Sequence, residues 1–341
     1  VGRFSIIHSI KCQTFFSLFN KNNQVIDALT FMMSTTFKLL KGVRMKPSLV
    51  FAGLLYLCVF TCAANEEVIP LLSIKGAHWT IEESAYIKEL NRKGSIKIAT
   101  KISSAVYLPH KNGSISGFHY NVLKEFADLA NIKLDIQLVT WNDYFYKKGE
   151  DLEKIKTDPN YSYVPTLIES VDLYLDGITA LPWREKMFGI VKYVPSRTML
   201  ITRIDNIPKQ ISDLNNKVCV MVKHSSMEQT LEKIKKANHI DFTTINPNSF
   251  DAMDKMVSEG KADFTAYDSD RAYVALKKYK NLTIAWPIGR LEIMGWAINK
   301  KNKVFKGILD KYIKYAQENA ILDKYWKQAY GVTFVEYLKV L

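Results

Sequence analysis

Cysteine is scarce in this chain and badly placed for a metal site or a disulfide framework. The 341 residues hold four, Cys12, Cys58, Cys62 and Cys219, with no CxxC pair and no His/Cys cluster at ligand spacing. No zinc or other metal site is expected. Three of the four fall in an N-terminal stretch read below as removable. Cys219 stands alone in the apolar run 218–222, where cysteine behaves as a small buried hydrophobe. The marks of common enzymes are missing too: no G-x-S-x-G elbow, no Walker A loop, no G-x-G-x-x-G fingerprint, and none of the six histidines in a nucleophile motif. These absences predict a protein that is not an enzyme and carries no cofactor. Tandem repeats and low-complexity tracts are absent as well.

Acidic residues are outnumbered, and the formal net charge is +13. Much of that excess sits in the first 64 residues, which carry seven Lys or Arg against one acid, Asp27. The remaining lysines are spread out, often beside Glu or Asp, with no basic stripe interleaved with aromatics. A solvated basic surface is expected, and no nucleic-acid partner. Hydrophobic residues make up 48% and charged residues 24%, ordinary globular values. The length suits two domains or lobes.

The run 49–64 is uncharged and mostly apolar. It follows Lys41, Arg44 and Lys46, ends in Ala63-Ala64-Asn65, and turns acidic at Glu66. A positive start, a short apolar core and small closing residues read as a secretory signal peptide, with Met45 the natural start. The run is shorter than the roughly 20 apolar residues of a membrane span. Export to the periplasm is predicted. A retained anchor is the alternative, and a lipid-anchored form on Cys62 is disfavoured by bulky Phe60 just upstream.

The rest of the chain alternates strands and helices, which argues for α/β units with mainly parallel sheets. A helix over 82–93 ends at Gly94, and a strand follows over 96–100. Apolar residues at helical spacing begin at Phe118, and a strand covers 134–139. Residues 142–166, rich in Tyr, Lys and Asp, read as an irregular excursion over the surface. Strands follow over 171–175 and 190–203, then 218–222, 241–244, 262–267 and 282–285, with helices between, and helices again over 304–330.

Ligands in open α/β sheets bind at the carboxyl ends of strands. Three such places stand out. At the first, Gly177 lets backbone approach a ligand, Thr179 offers a hydroxyl, and Arg184 offers a planar fork for a carboxylate. Arg184 as a surface residue covering the loop is the alternative. At the second, Ser225 and Ser226 open a helix, where they either cap it or face an anion together with unpaired backbone N–H groups. At the third, Asp268 is either a helix N-cap or the acceptor of a ligand ammonium.

In this order these stretches resemble the family 3 extracellular solute-binding proteins, which have the type II periplasmic binding fold of polar amino-acid receptors. The likeness runs from about Ile96 to Gly331. It rests on 112–118, on Val171-Asp172-Leu173 with Gly177-Ile178-Thr179 and Arg184, and on 218–226. Gly260-Lys261-Ala262-Asp263 with Asp268, Gly295-Trp296-Ala297-Ile298 and 321–326 complete it. The resemblance implies an α/β, two-lobed fold with a ligand cleft between lobes joined by two hinge strands, near 200–203 and 293–297. The first lobe would be 93–202 plus 293–341 and the second 203–292, with 65–92 an N-terminal helical region and 1–64 removed. It implies that Arg184 clamps a ligand carboxylate, that Ser225 or Ser226 donates to it, that Asp268 takes the α-ammonium, and that Tyr107 is an aromatic lid. Leu181 stands where the family has Thr or Ser, and Asp176 is an extra acid beside the pocket. Together these predict an amine-bearing or cationic ligand, with Asp176 turned into the turn after it as the alternative.

The expected protein is a monomeric, exported solute-binding protein that closes on a small polar ligand and serves a permease or a membrane sensor such as a sensor kinase. The alternative is a sensory or enzyme-associated module, either the N-terminal module of a membrane-bound lytic transglycosylase or a small dehydratase. The sequence names neither the ligand nor the oligomeric state.

Overall fold

The structure is a computed structural model that describes residues 68–341, apart from Asn248 and Val340. The run 49–64 that reads as a signal peptide, Met45 and the first three cysteines lie outside the described residues. Residues 69–341 form one compact unit.

Local chemistry starts and stops the elements. Helix α1 (Ile81–Lys93) opens on a capping box between Thr80 and Glu83, places Glu82 and Glu83 at its N-terminus and Arg92 and Lys93 at its C-terminus, and stops at left-handed Gly94. Strand β1 is Ser95–Thr100; a short hairpin of β2 (Leu108–Pro109) and β3 (Ile115–Ser116) leads into α2 (Phe118–Leu129) and β4 (Lys133–Leu138). The stretch 142–166 is not the irregular surface excursion its composition suggested. It contains α3 (Leu152–Thr157) and is followed by α4 (Thr166–Ser170). Its Tyr144, Phe145, Ile155 and Tyr163 are buried with Tyr174, Trp183 and Phe188 in a core of their own. Tyrosine and charge gave it a polar average, but its apolar rings point inward.

Then come β5 (Leu173–Thr179), the one-turn α5 (Pro182–Glu185) and the long β6 (Gly189–Arg203). The second half holds β7 (Val218–Val220), α6 (Ser226–Asn238), β8 (Thr243–Ile245), α7 (Phe250–Ser258), β9 (Phe264–Asp268) and α8 (Ser269–Lys278). Strand β10 (Leu282–Ile298) returns to the first half, where α9 (Lys303–Glu318), α10 (Ile321–Tyr330) and α11 (Phe334–Leu338) finish the chain. The separate strands expected near 282–285 and 295–298 are one strand. Pro287 and the residues around it make bulges that let it continue.

Among the described residues eight strands form one sheet, in the order β4-β1-β5-β10-β6-β9-β7-β8. It is mixed, with four parallel pairings and three antiparallel ones. Strands β4, β1 and β5 run parallel, as do β9, β7 and β8. Between the two groups β6 and β10 pair antiparallel to each other and to their neighbours. One end of the β6–β10 ladder, near Val191 and Trp296, lies beside β5, and the other, near Ile201 and Ile284, lies beside β9. Two chain crossings thus join two cores. The first centres on Trp326, against which Phe118, Tyr330, Phe334 and Tyr337 pack at 4.4–4.9 Å. The second holds Leu200, Val220, Met253 and Phe264, with buried, unpaired Cys219 among them. Each such fully buried side chain contributes about 1.5–3 kcal/mol. This is the two-lobed architecture with paired hinge strands.

Candidate ligand cleft

A cavity of about 60 Å³ lies where the loops after β1, β5, β7 and β9 converge. At roughly 10–15 Å³ per water it has room for a few small polar groups. Gly177, Thr179, Arg184, Ser225, Ser226 and Asp268 line it, as does Asp176.

Arg184 is 1% exposed. Helix α5 starts at Pro182, and this single turn aims Arg184 into the cleft. Nη1 donates to Thr179 O at 3.2 Å and Nη2 to His224 O at 2.9 Å. Nε has no hydrogen-bond partner, and among the described residues no carboxylate forms an ion pair with the guanidinium. The rings of Trp183, Trp141 and Phe145 surround it, 4.9, 5.3 and 5.5 Å from its central carbon. Burial pulls its pKa down to about 10, against the charges of Asp268, Glu292 and Asp176. It therefore stays cationic at neutral pH with no carboxylate in direct contact among the described residues.

The two serines divide the roles that the sequence left open. Ser225 caps α6 by accepting from the Glu228 N–H at 3.1 Å. Ser226 faces the cavity, where Thr179 Oγ1 donates to its hydroxyl at 3.1 Å and its own hydroxyl donates to Asp268 Oδ2 at 3.4 Å. Asp268 occupies the N-cap position of α8, yet its side chain makes no capping bond. Burial pushes its pKa up to about 8; the charges of Asp270 and Glu292 add to this and Arg184 opposes it.

Two expectations change. Asp176 is not poised for a ligand cation: it is ion-paired with Lys101, and its Oδ1 accepts from the Gly177 N–H at 2.8 Å. Tyr107 is not among the residues lining the cavity. It packs edge-on against Tyr120 at 5.3 Å, and its backbone bridges to Ser103. Aromatic faces are supplied instead by Trp141 and Phe250, with the Lys101 ammonium 5.3 and 5.5 Å from their ring centres.

Sequence reasoning missed Lys101, His119, Trp141, Phe250, Asp270 and Arg271, all of which line the cavity. Lys101 and Trp141 follow β1 and β4 closely, so the strand-end rule would have found them. His119 carries no such signal, because it reads as one more residue of an amphipathic helix. Its Nδ1 lies 2.7 Å from the Tyr193 hydroxyl, and burial lowers its pKa to about 4, so it is neutral. It also explains Gly177: a Cβ there would stand 3.3 Å from His119 Nε2. Arg271 is held by Asp251 and Asp254 at 3.0 and 2.9 Å. Among the described residues no His/Cys/Asp/Glu group could hold a metal ion.

This geometry, a cleft between two α/β lobes joined by crossing strands, is that of the type II periplasmic binding fold, the fold of the family 3 solute-binding proteins. Solved structures bear this out. The substrate-binding protein AbpA of Streptococcus pneumoniae, bound to L-arginine, is 17% identical with a TM-score of 0.58, covering 72% of this chain and 98% of its own. A putative transporter binding component of Wolinella succinogenes, complexed with lysine, is 19% identical with a TM-score of 0.57, covering 70% and 96%. No protein-family model matches the chain. By sequence it is similar to the membrane-bound lytic murein transglycosylase F of Stutzerimonas stutzeri, 20% identical over 258 residues, 73% of this chain and 49% of the relative. The chain thus spans about half the length of such curated relatives. Their name corrects one expectation. Absent motifs suggested that the chain is not an enzyme, but the sequence relatives are named as one. Missing motifs excluded only the enzyme classes that use them. Among the described residues no helix is long and apolar enough to cross a membrane.

Proposed function

We propose that the cleft captures a small amino-acid-like solute and closes on it, as the ligand-binding unit of an extracytoplasmic protein of the murein transglycosylase kind. The observation that carries this is Arg184: a buried guanidinium, caged by three rings, with no carboxylate paired to it among the described residues. A buried charge of this sort is costly unless an anion completes it. The ligand carboxylate lies on Arg184 and the Ser226 hydroxyl, with Thr179 and Gly177 close by; Ser225 holds the helix start. Asp268 takes the α-ammonium. The first lobe is 93–202 with 293–341 and the second is 203–292. Ligand contacts to both favour the closed state, a population shift driven by differential affinity.

The setting follows from the relatives' name, and export from the signal-like run 49–64. A receptor that hands its solute to a permease or sensor is the second reading, favoured by the likeness to AbpA, a transporter substrate-binding protein. Murein clearing that responds to ligand supports the transglycosylase setting; capture without it supports the receptor.

The test is calorimetry over a panel of amino acids, with Arg184→Ala beside wild type. A charge-assisted bond contributes about 1.5–3 kcal/mol, so roughly 10- to 100-fold weaker binding is expected. Equal affinity in the variant removes Arg184 from the site.

A further inference from the structure

The cavity-lining charges do not cancel once their partners are assigned. Lys101 is spent on Asp176 and Arg271 on Asp254 and Asp251. Arg184, Asp268 and Asp270 remain: one cation and two acids. A ligand that complements them carries one anion and two cations.

Asp270 is the acid that nothing yet explains. It is 6% exposed, sits in the first turn of α8 and lines the cavity. Its Oδ1 is buried without a hydrogen-bond partner, and so is the hydroxyl of Tyr330 on α10, which packs against α8. The charge of Asp270 reaches the phenols of Tyr330, Tyr337 and Tyr193, raising pKa values that burial has already raised. Burial lifts its own pKa to about 6, against the backbone N–H groups of Asp270 and Arg271, which its carboxyl accepts from, and the Arg271 charge. A carboxylate placed only to complement the helix dipole would be solvated at the surface; this one lines the cavity, is withdrawn from water and leaves one oxygen without a partner.

We infer that Asp270 is the specificity-determining acid of the cleft and reads a second, distal ammonium or guanidinium on an amino acid whose α-carboxylate and α-ammonium lie on Arg184 and Asp268. This rests on the ligand-binding function proposed above. The ligand class is a diamino monocarboxylate or its guanidino counterpart. Asp176 has no part in that recognition, because Lys101 already neutralises it.

Two matched pairs of probes test the inference: L-lysine against uncharged L-norleucine, and L-arginine against uncharged L-citrulline, measured by calorimetry. Wild type is expected to bind the charged member roughly 10- to 100-fold more tightly. In Asp270→Asn that ratio falls to near one, whereas Asp268→Asn weakens all four probes and keeps it. Thermal melts report whether each variant is folded, and the wild-type ratio stands whether or not Asp270→Asn folds. Wild type that holds citrulline as firmly as arginine keeps the ligand-binding function and overturns the role of Asp270, as does a folded Asp270→Asn with the wild-type ratio. Binding of none of the four overturns both.

Discussion

Asp268 and Asp270 are two residues apart on one helix start, and both are acids that burial makes reluctant to ionise. Asp268 has a folded pKa of about 8, far above the ordinary carboxylate range. Its protonated form is therefore favoured by folding. That stability is fully present below about pH 4 and is lost as pH rises toward 8. Around it stand Asp270, Glu292, Arg184 and the Ser226 hydroxyl, while His119, with a pKa lowered to about 4, stays neutral above pH 6. A ligand ammonium requires the ionised acid, so binding expels a proton. Calorimetry in buffers of different ionisation enthalpy should report about one proton released near pH 7, with affinity climbing up to about tenfold per pH unit between 6 and 8. Both effects should shrink sharply in Asp268→Asn at pH 7–8, leaving only the contribution of Asp270 near pH 6. A wild-type affinity flat across that range would show that the Asp268 carboxyl is not the ammonium acceptor.

At the scale of elements, β10 carries the most consequence, since it pairs with β5 at one end and β6 along its length. Gly295 allows that pairing, because a Cβ there would lie 1.7 Å from Val191 O. The clash is with backbone, which cannot swing aside. Gly295→Ala should therefore destabilise the protein by about 3 kcal/mol, the upper end of overpacking costs. A calorimetric melt checks this, and an unchanged midpoint would mean that the strands reseat freely. The stretch 142–166 matters in a different way. Its α3 brings Lys156 to 3.0 Å from His224 Nδ1, and His224 is the residue whose carbonyl Arg184 holds. The inserted stretch thus buttresses the cleft from the side.

Within residues 69–341, hydrogen bonds cross the cleft. Arg184 bonds His224 O, Thr179 bonds Ser226, and Trp141 Nε1 donates to Lys223 O at 3.1 Å. Trp141 also covers the Arg184 guanidinium, so it links ligand capture to closure. Trp141→Ala should open the unliganded ensemble and weaken ligand binding by roughly tenfold, since the competent state becomes rarer. Small-angle scattering should show a larger radius of gyration in the variant and a larger decrease on ligand addition. Equal scattering curves for variant and wild type would rule out the latch.

Strand and helix identities were legible because they rest on local pattern. Thr80 and Glu83 open α1 through reciprocal side-chain-to-backbone bonds and Gly94 closes it through its left-handed backbone, and the apolar spacing from Phe118 makes α2 wherever it packs. Arg184, Ser226 and Asp268 were legible as residues that line one cavity because strand ends converge in open α/β sheets. Three things were decided only by the tertiary structure. The joining of 282–285 to 295–298 into one strand depends on β6 lying alongside. The orientation of Tyr107 depends on Tyr120. The choice between Asp176 and Asp270 as the unpaired acid depends on Lys101, remote in sequence but adjacent in space. Spacing along a chain reports which groups can share a face; which charge is neutralised is set by partners that only folding brings within a few ångströms.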